Sequence, residues 1–136
     1  MLQTQSTELY YLVLLTGMTA MMWIPYIINR LGEQGVIPAL WDPHGHTEAK
    51  AAWANRMMLA HTNAVENLII FAPLVLIIHM TGQSTALTQN ACVIYLIARV
   101  IHYFGYSFAI PVVRVVSFLA GFYAQMVLIL SLLKVI

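Results

Sequence analysis

The chain has very little charge for its length. Only 8 % of its 136 residues are charged and 61 % are hydrophobic, whereas about one quarter of an ordinary soluble domain is charged. The net charge is +1, and no run of lysines or arginines offers a basic face to nucleic acid. The composition therefore predicts an integral membrane protein that contacts membrane lipids and has no nucleic-acid partner.

Cysteine is scarce as well. The single cysteine, Cys92, has no second cysteine in the chain to form a disulfide with, so it does not indicate a compartment. The N-terminal region lacks both a basic segment and a small-residue cleavage pattern before the first apolar run. We therefore interpret that run as a retained span and not as a signal peptide.

Metal-ligand patterns are weak. His44 and His46 flank Gly45 close to Asp42, but two histidines at this spacing in a glycine-containing segment are typical of a solvated loop. Structural metal sites use a fuller set of ligands at regular spacing. We predict no metal site.

Long apolar runs dominate the sequence. Its length allows about four spans of ~20 residues with short connections, so we predict a single all-α integral membrane domain over residues 1–136. The architecture would be a four-transmembrane-helix bundle. Pro73 can kink the second helix. The predicted helices cover residues 9–30, 48–80, 87–108 and 112–136.

Residues 31–50 form a long connection between the first two predicted helices. They hold three glycines and two prolines, and a connector of this length is typical of a lid or of the border of a site. Basic residues flank this loop and the third one, but the second loop has none. By the positive-inside rule, this predicts that both termini lie outside the cytoplasm.

A polar stripe follows one face of the second predicted helix. At about 100° per residue, its four residues fall within an arc of about 100°, opposite a face of Leu, Ile, Val and Met. A helix with a carboxylate and amides at bilayer depth must cover them with protein or with a polar ligand. The stripe consists of Arg56, Asn63, Glu66 and Asn67.

The other predicted helices carry short polar stripes in the same, cytoplasmic half. Stripes at one depth indicate a pocket, since a channel would need polar positions through to the outer leaflet. The first helix contributes Thr16, Thr19, Trp23, Tyr26 and Arg30; the third, Arg99, His102, Tyr103 and Tyr106; the fourth, Arg114, Ser117, Gly121 and Gln125.

The charges in this pocket do not balance. Four arginines (Arg30, Arg56, Arg99 and Arg114) face one carboxylate, that of Glu66. We expect Glu66 to pair with Arg99, and that pair alone could serve only to lock the helices together. The surplus positive charge would take lipid phosphates or an anionic ligand. Because arginine binds carboxylates with two hydrogen bonds, a small di-acid or a peptide fits.

The chain resembles a known family at these residues. The run Ala60-His61-Thr62-Asn63-Ala64-Val65-Glu66-Asn67, with Pro73 downstream, is similar to the helix-2 signature of the MAPEG family. That family comprises membrane-associated proteins of eicosanoid and glutathione metabolism, including microsomal glutathione transferases and prostaglandin E and leukotriene C synthases. The similarity extends over essentially the whole chain, to a bacterial-type microsomal glutathione transferase. The other matching positions are Arg99, His102, Tyr106 and Arg114.

The resemblance implies a homotrimer in the bacterial inner membrane, with glutathione as co-substrate between subunits near the cytoplasmic side. Asn63 and Glu66 would hold the peptide and its amino group. Arg114 would lie beside the sulfur and favour the thiolate, to which Tyr106 or Ser117 could donate a hydrogen bond. The residues implied to hold carboxylates and backbone are Arg30, Arg99, His102 and Tyr106.

The activity so implied is a glutathione transferase or peroxidase that detoxifies hydrophobic electrophiles or lipid hydroperoxides. One departure favours an alternative: many glutathione-binding members carry Arg or Gln where this chain has Thr62. The alternative is a non-catalytic member that binds lipids and presents them to a partner enzyme. A third hypothesis, a small transporter or lipid-binding subunit, would require polar positions in the outer leaflet.

Overall fold

The computed structural model describes residues 6–42, 45 and 48–136, and every regular element in them is a helix. His44 and His46, considered above as metal ligands, lie outside the described residues. The helices are Thr7–Met21 (α1), Ile24–Gln34 (α2), Val36–Leu40 (α3), Ala52–Thr81 (α4), Ala86–Ser107 (α5) and Pro111–Leu132 (α6).

The first predicted helix is divided in two. α1 ends at Met21 and α2 begins at Ile24, with Pro25 in its first turn. Proline lacks a backbone N–H and its ring collides with the preceding turn, so it is tolerated at a helix start but interrupts a continuous helix. α4, in contrast, remains helical through Pro73.

Three segments in the described part of the chain are long and apolar enough to cross a membrane: Thr7–Gln34, Ala52–Thr81 and Pro111–Leu132. α5 is not one of them, although it has 22 residues. It is less apolar because it carries buried polar side chains such as Arg99 and His102. Polar groups in a membrane protein face the interior, so the composition of α5 is that of an inner helix.

The helices pack around two groups of buried side chains. The larger group fills the half of the bundle near the start of α5, where the rings of Phe71 and Tyr95 stack with centroids 3.9 Å apart. The smaller group lies towards the other end and contains Met22, Ala60 and Tyr103. Of the polar residues predicted to form the pocket, Asn63, His102 and Tyr106 lie at this second end, whereas Gln125 donates to the Tyr95 hydroxyl in the larger group.

α5 and α6 form a tight hairpin. Gly105 permits it, because a Cβ at this position would lie 2.8 Å from Cγ1 of Val113. In the turn, Ala109 has φ of 57°, and the Ile110 N–H donates to the Gly105 carbonyl oxygen over 2.9 Å. The close approach places Arg114, in the first turn of α6, beside the last turns of α5.

Candidate functional site

A groove of about 230 Å³ brings together four of the predicted site residues. Asn63 comes from α4, His102 and Tyr106 from α5, and Arg114 from α6. The groove is open on one side, and its apolar wall is provided by α6. That wall consists of Val115, Phe118 and Leu119.

Arg99 lies behind Asn63 and is only 3 % exposed. Its Nη2 donates a hydrogen bond to Oδ1 of Asn63 over 2.8 Å. Its Nε is buried and has no hydrogen-bond partner among the described residues. Because this guanidinium is bound to an amide and pairs with no carboxylate among the described residues, no opposite charge offsets it next to the groove.

His102 is equally buried, and its hydrogen bonds define its tautomer. Its Nδ1 lies 3.0 Å from the carbonyl oxygen of Arg114. Because a carbonyl oxygen only accepts, Nδ1 must carry the proton. In the neutral ring, Nε2 is then an acceptor, and this buried atom has no partner in the part of the chain that the structure describes. His102 therefore offers an unused acceptor.

Ser117 is placed differently from the prediction. Its hydroxyl donates to the Val113 carbonyl oxygen over 2.6 Å and lies 3.5 Å from Nδ1 of His102. The side chain is 4 % exposed and lines a separate apolar cavity between α5 and α6. In this arrangement Ser117 supports His102 and does not face the polar groove.

Arg114 is the exposed cation of the groove. Its Cζ lies 5.0 Å from the centroid of the Tyr106 ring, a cation–π contact worth about 0.5–1 kcal/mol at an exposed site. Its guanidinium makes no ion pair within the described residues, whose salt bridge joins other side chains. It is therefore free to bind an anion.

The expected pair of Glu66 with Arg99 is wrong. Glu66 is exposed near the middle of α4, and the ion pair found among the described residues joins Arg30 to Asp42. Three residues along a helix rotate the side chain by about 300°, so Glu66 points about 60° away from Asn63. Asn63 faces α5 and binds Arg99, whereas Glu66 faces outwards.

Arg30, a further expected position, lies outside the groove, and so does Thr62, the departure from the family pattern. Arg30 borders a small cavity with Tyr26 and Asn55 at the start of α4, so one chain does not bring it to the site. Thr62 is exposed, and its hydroxyl donates to the Met58 carbonyl oxygen of its own helix.

The sequence did not predict two hydrogen bonds that join helices. Tyr26 Oη and Nδ1 of His61 lie 2.8 Å apart and join α2 to α4. Nε of Arg56 donates to the Ser107 carbonyl oxygen over 2.8 Å, which ties α4 to the end of α5. The sequence could not identify the apolar wall of the groove either, because the wall residues are of the same types as those that face lipid.

Comparison with known proteins identifies the family of the chain. Neither the curated proteins nor the solved structures give a significant match to the chain. The sequence model of the MAPEG family, in contrast, matches residues 9–134, which include every residue of the groove. That family contains glutathione-dependent enzymes and related membrane proteins. With its three apolar spans and this match over nearly its whole length, the chain belongs to the MAPEG family and is a multi-pass integral membrane protein.

Proposed function

We propose that the chain is a membrane-embedded, glutathione-dependent transferase or peroxidase that acts on hydrophobic electrophiles or lipid hydroperoxides. The observation that carries the proposal is the groove itself. It combines the amide of Asn63, the acceptor of His102 and the free guanidinium of Arg114, with the positive charge of Arg99 directly behind them.

Unsatisfied polar groups in the groove and directly behind it suit the polar groups of glutathione, which are two carboxylates, an ammonium group, two amides and a thiol. Nε of Arg99 and Nε2 of His102 are buried without partners. Each such group costs about 1–3 kcal/mol when it is left unpaired. A ligand that brings an acceptor to Arg99 and an N–H or S–H donor to His102 would remove that cost. The residues present therefore fit glutathione.

The position of Arg114 suits a role at the sulfur. A free thiol has a pKa of about 8.5, and a neighbouring cation lowers that pKa. Arg114 provides such a cation, and it lies in the first turn of α6, where the helix end adds partial positive charge. Bound glutathione would supply a nucleophilic sulfur that bonds to an electrophilic carbon or reduces a hydroperoxide. Tyr106 holds the Arg114 guanidinium in place by their ring contact.

Two observations support a site completed by neighbouring copies of the chain. The groove, at about 230 Å³, is smaller than the roughly 300–1,000 Å³ of typical ligand sites. Glu66 exposes a carboxylate near the middle of α4, where a charge must be covered by protein or ligand. In the proposed homotrimer, Glu66 binds the amino group of glutathione, and Arg30 contributes from a neighbouring copy.

We propose further that α5 is a fourth span, buried within the assembly. Its 22 residues are about 33 Å long, enough to cross the ~30 Å hydrocarbon core. The whole chain then forms one four-span domain. The proposed location is the bacterial inner membrane, with the groove towards the cytoplasm.

A second candidate function is non-catalytic lipid binding. It is favoured by the apolar cavity between α5 and α6, whose volume of about 470 Å³ exceeds that of the polar groove. The side chains that line this cavity include Ile94, Ile97, Ile101 and Val116. In a lipid-presenting protein this cavity would hold an acyl chain, and the polar groove would have no thiol to activate.

A thiolate assay distinguishes the two functions. Purified protein in lipid nanodiscs is mixed with glutathione, and the ultraviolet difference absorbance of the thiolate is followed against pH. Turnover is measured with an electrophilic aryl halide and with a lipid hydroperoxide. We expect Arg114→Ala to raise the pKa of the bound thiol by about one unit and so to lower turnover at neutral pH about tenfold.

Arg114→Lys should restore part of the effect, since it restores a cation. Lys134→Ala is the matched control, because it removes an exposed cation near the end of the chain and should change neither readout. If the folded wild-type protein shows neither thiolate nor turnover, the enzyme proposal fails and lipid binding takes its place.

A further inference from the structure

An exposed apolar cluster lies on the short helix α3 and its C-cap, and the functional site does not use it. The four side chains are Val36, Ile37, Leu40 and Trp41, which are 59 %, 76 %, 75 % and 83 % exposed. We call them the α3 cluster. Since so little of the described chain covers them, an apolar group of this kind indicates contact with something outside the chain.

The position of α3 is fixed at the base of its loop. Gly35 has φ of +84° and turns the chain out of α2 into α3. The carboxylate of Glu33 accepts hydrogen bonds from the backbone N–H groups of Lys50 and Ala51 over 2.8 and 3.0 Å. The end of α2 is therefore fastened to the start of α4. The salt bridge between Arg30 and Asp42 returns the chain after α3 to α2, so α3 lies near the end of α2.

The depth of the start of α4 follows from its contacts. Arg56 is hydrogen-bonded to Ser107, the last residue of α5, so Arg56 lies level with the α5–α6 turn. α6, which is long and apolar enough to cross a membrane, begins at this turn, which places the turn at the edge of the hydrocarbon core.

α4 extends beyond this level towards α3. From Arg56 to Ala52, where α4 begins, four residues rise about 6 Å. A headgroup layer is about 5–8 Å thick, as the difference between a ~30 Å core and a ~40–45 Å bilayer shows. The start of α4 thus lies at the depth of the headgroups. The end of α2, which Glu33 joins to that start, and the adjoining α3 lie at the same depth.

We propose that the α3 cluster is an interfacial anchor whose side chains lie among lipid headgroups and glycerol backbones, on the side of the membrane that holds the groove. The membrane-spanning segment ends at Gln34, so the cluster continues the lipid-contacting surface directly. Tryptophan is enriched at this depth. Exposed Lys50 offers a cation to lipid phosphates beside the cluster. This inference does not depend on glutathione chemistry.

Single-tryptophan variants test the depth of the cluster. The Trp41 reporter carries Trp23→Phe and Trp53→Phe, and the control reporter keeps Trp23 alone. Trp23 follows Met22, whose carbonyl oxygen accepts from the hydroxyl of Tyr103 over 3.4 Å, so it lies about one turn of α5 deeper than Ser107. All three tryptophans are exposed, which makes phenylalanine a mild replacement.

The reporters are reconstituted in phosphatidylcholine vesicles and quenched by nitroxide lipids labelled near the headgroup or at mid-chain, and by aqueous iodide. We expect Trp41 to be quenched mainly by the shallow label and little by iodide, with Trp23 quenched more by the deep label. Quenching of Trp41 by iodide as strong as that of a free tryptophan derivative would place α3 in water. Protection of Trp41 from both iodide and the lipid labels would mean that another copy of the chain covers α3. Each of these two results would overturn the proposal.

A second variant tests whether the apolar side chains of the α3 cluster keep α3 in the membrane interface. Ile37→Ser with Leu40→Ser, in the Trp41 reporter, should lose shallow quenching and gain iodide quenching. The control is Ile28→Ser, the same change at a position on α2 that is 62 % exposed, and it should leave Trp41 unchanged. Identical quenching in all three proteins would contradict an anchoring role for the cluster.

Discussion

At the scale of single residues, the central feature is an arginine inside the bundle whose partner is an amide. Arg99 is buried and donates to Asn63, and no carboxylate of the described chain forms an ion pair with it. A charge at the centre of a membrane helix costs at least about 2.5–3.5 kcal/mol. Such a group persists most readily where function requires it, which is why the groove beside Arg99 is the candidate site.

The pair of Arg99 and Asn63 gives the first prediction. Asn63→Ala leaves the buried guanidinium without its acceptor and should lower the free energy of unfolding by about 1–3 kcal/mol. The measurement is unfolding of the ligand-free protein in mixtures of mild detergent and dodecyl sulfate. Thr62→Ala is the neighbouring control, since the Thr62 hydroxyl only bonds its own helix. Equal losses in the two variants would show that the Asn63 contact contributes nothing specific.

Single residues also show which features the sequence could predict and which it could not. The resemblance of residues 60–67 led to the right family, which the match over residues 9–134 confirms. Helical periodicity placed Asn63 and Glu66 on one face but could not say which of them meets Arg99. That choice depends on the rotation of α4 against α5, which is set by packing and not by the pattern of one helix. The expected pairing of Glu66 failed for this reason.

At the scale of elements, the α5–α6 hairpin determines where Arg114 lies. Gly105→Ala would place a Cβ 2.8 Å from Cγ1 of Val113, so the start of α6 must move away from α5. Overpacking of this kind costs about 1–3 kcal/mol. We expect lower stability together with weaker thiolate formation, because Arg114 moves with the helix start.

A compensating change makes the prediction specific. Val113→Ala removes the atom that the new Cβ would touch, so Gly105→Ala with Val113→Ala should recover part of both losses. The measurements are unfolding in detergent mixtures and the thiolate absorbance. No recovery in the double variant would argue against this contact as the one that positions Arg114.

The turn of the hairpin carries a strained residue. Ala109 adopts φ of 57°, a left-handed conformation that costs an L-residue about 1–2 kcal/mol but suits glycine. Ala109→Gly should therefore stabilise the protein by about 0.5–1 kcal/mol, after allowance for the greater freedom of glycine in the unfolded chain. Ala120→Gly, the same change within α6, should destabilise by a similar amount. Destabilisation by both changes would contradict the strain at Ala109.

The sequence predicts the boundaries of helices where a helix-breaking residue marks them. Pro111 begins α6 and Gly82 ends α4, as their residue types favour. The break between α1 and α2 was missed although Pro25 signals it, because the apolar run continues across the break. The third of the four predicted spans, α5, has too many polar side chains to qualify by composition.

At the scale of the whole molecule, the described chain has polar groups that its own fold leaves uncovered. Glu66 is exposed near the middle of α4, and the groove is open and small. A single copy in a bilayer would leave this carboxylate against lipid. In the proposed assembly the missing surfaces belong to neighbouring copies, so the helical pattern of one chain could not supply them.

Native mass spectrometry in mild detergent tests this directly. We expect a mass of three chains, because the exposed carboxylate and the incomplete groove both require coverage by neighbours. Glu66→Leu, which removes the charge, serves as a probe of whether assembly depends on it. A folded wild-type protein that remains monomeric at every concentration would refute the trimer.

The central claim is that the groove binds glutathione, and calorimetric titration of the detergent-solubilised protein tests it most directly. We expect the wild type to bind glutathione saturably. Glu66→Gln should bind it about tenfold more weakly, which is a loss of about 1.4 kcal/mol of binding free energy. Arg114→Ala and the Lys134→Ala control should bind it with nearly unchanged affinity. That pattern would assign Glu66 to holding the peptide and Arg114 to its sulfur. The absence of saturable binding by folded, trimeric wild-type protein would contradict the account.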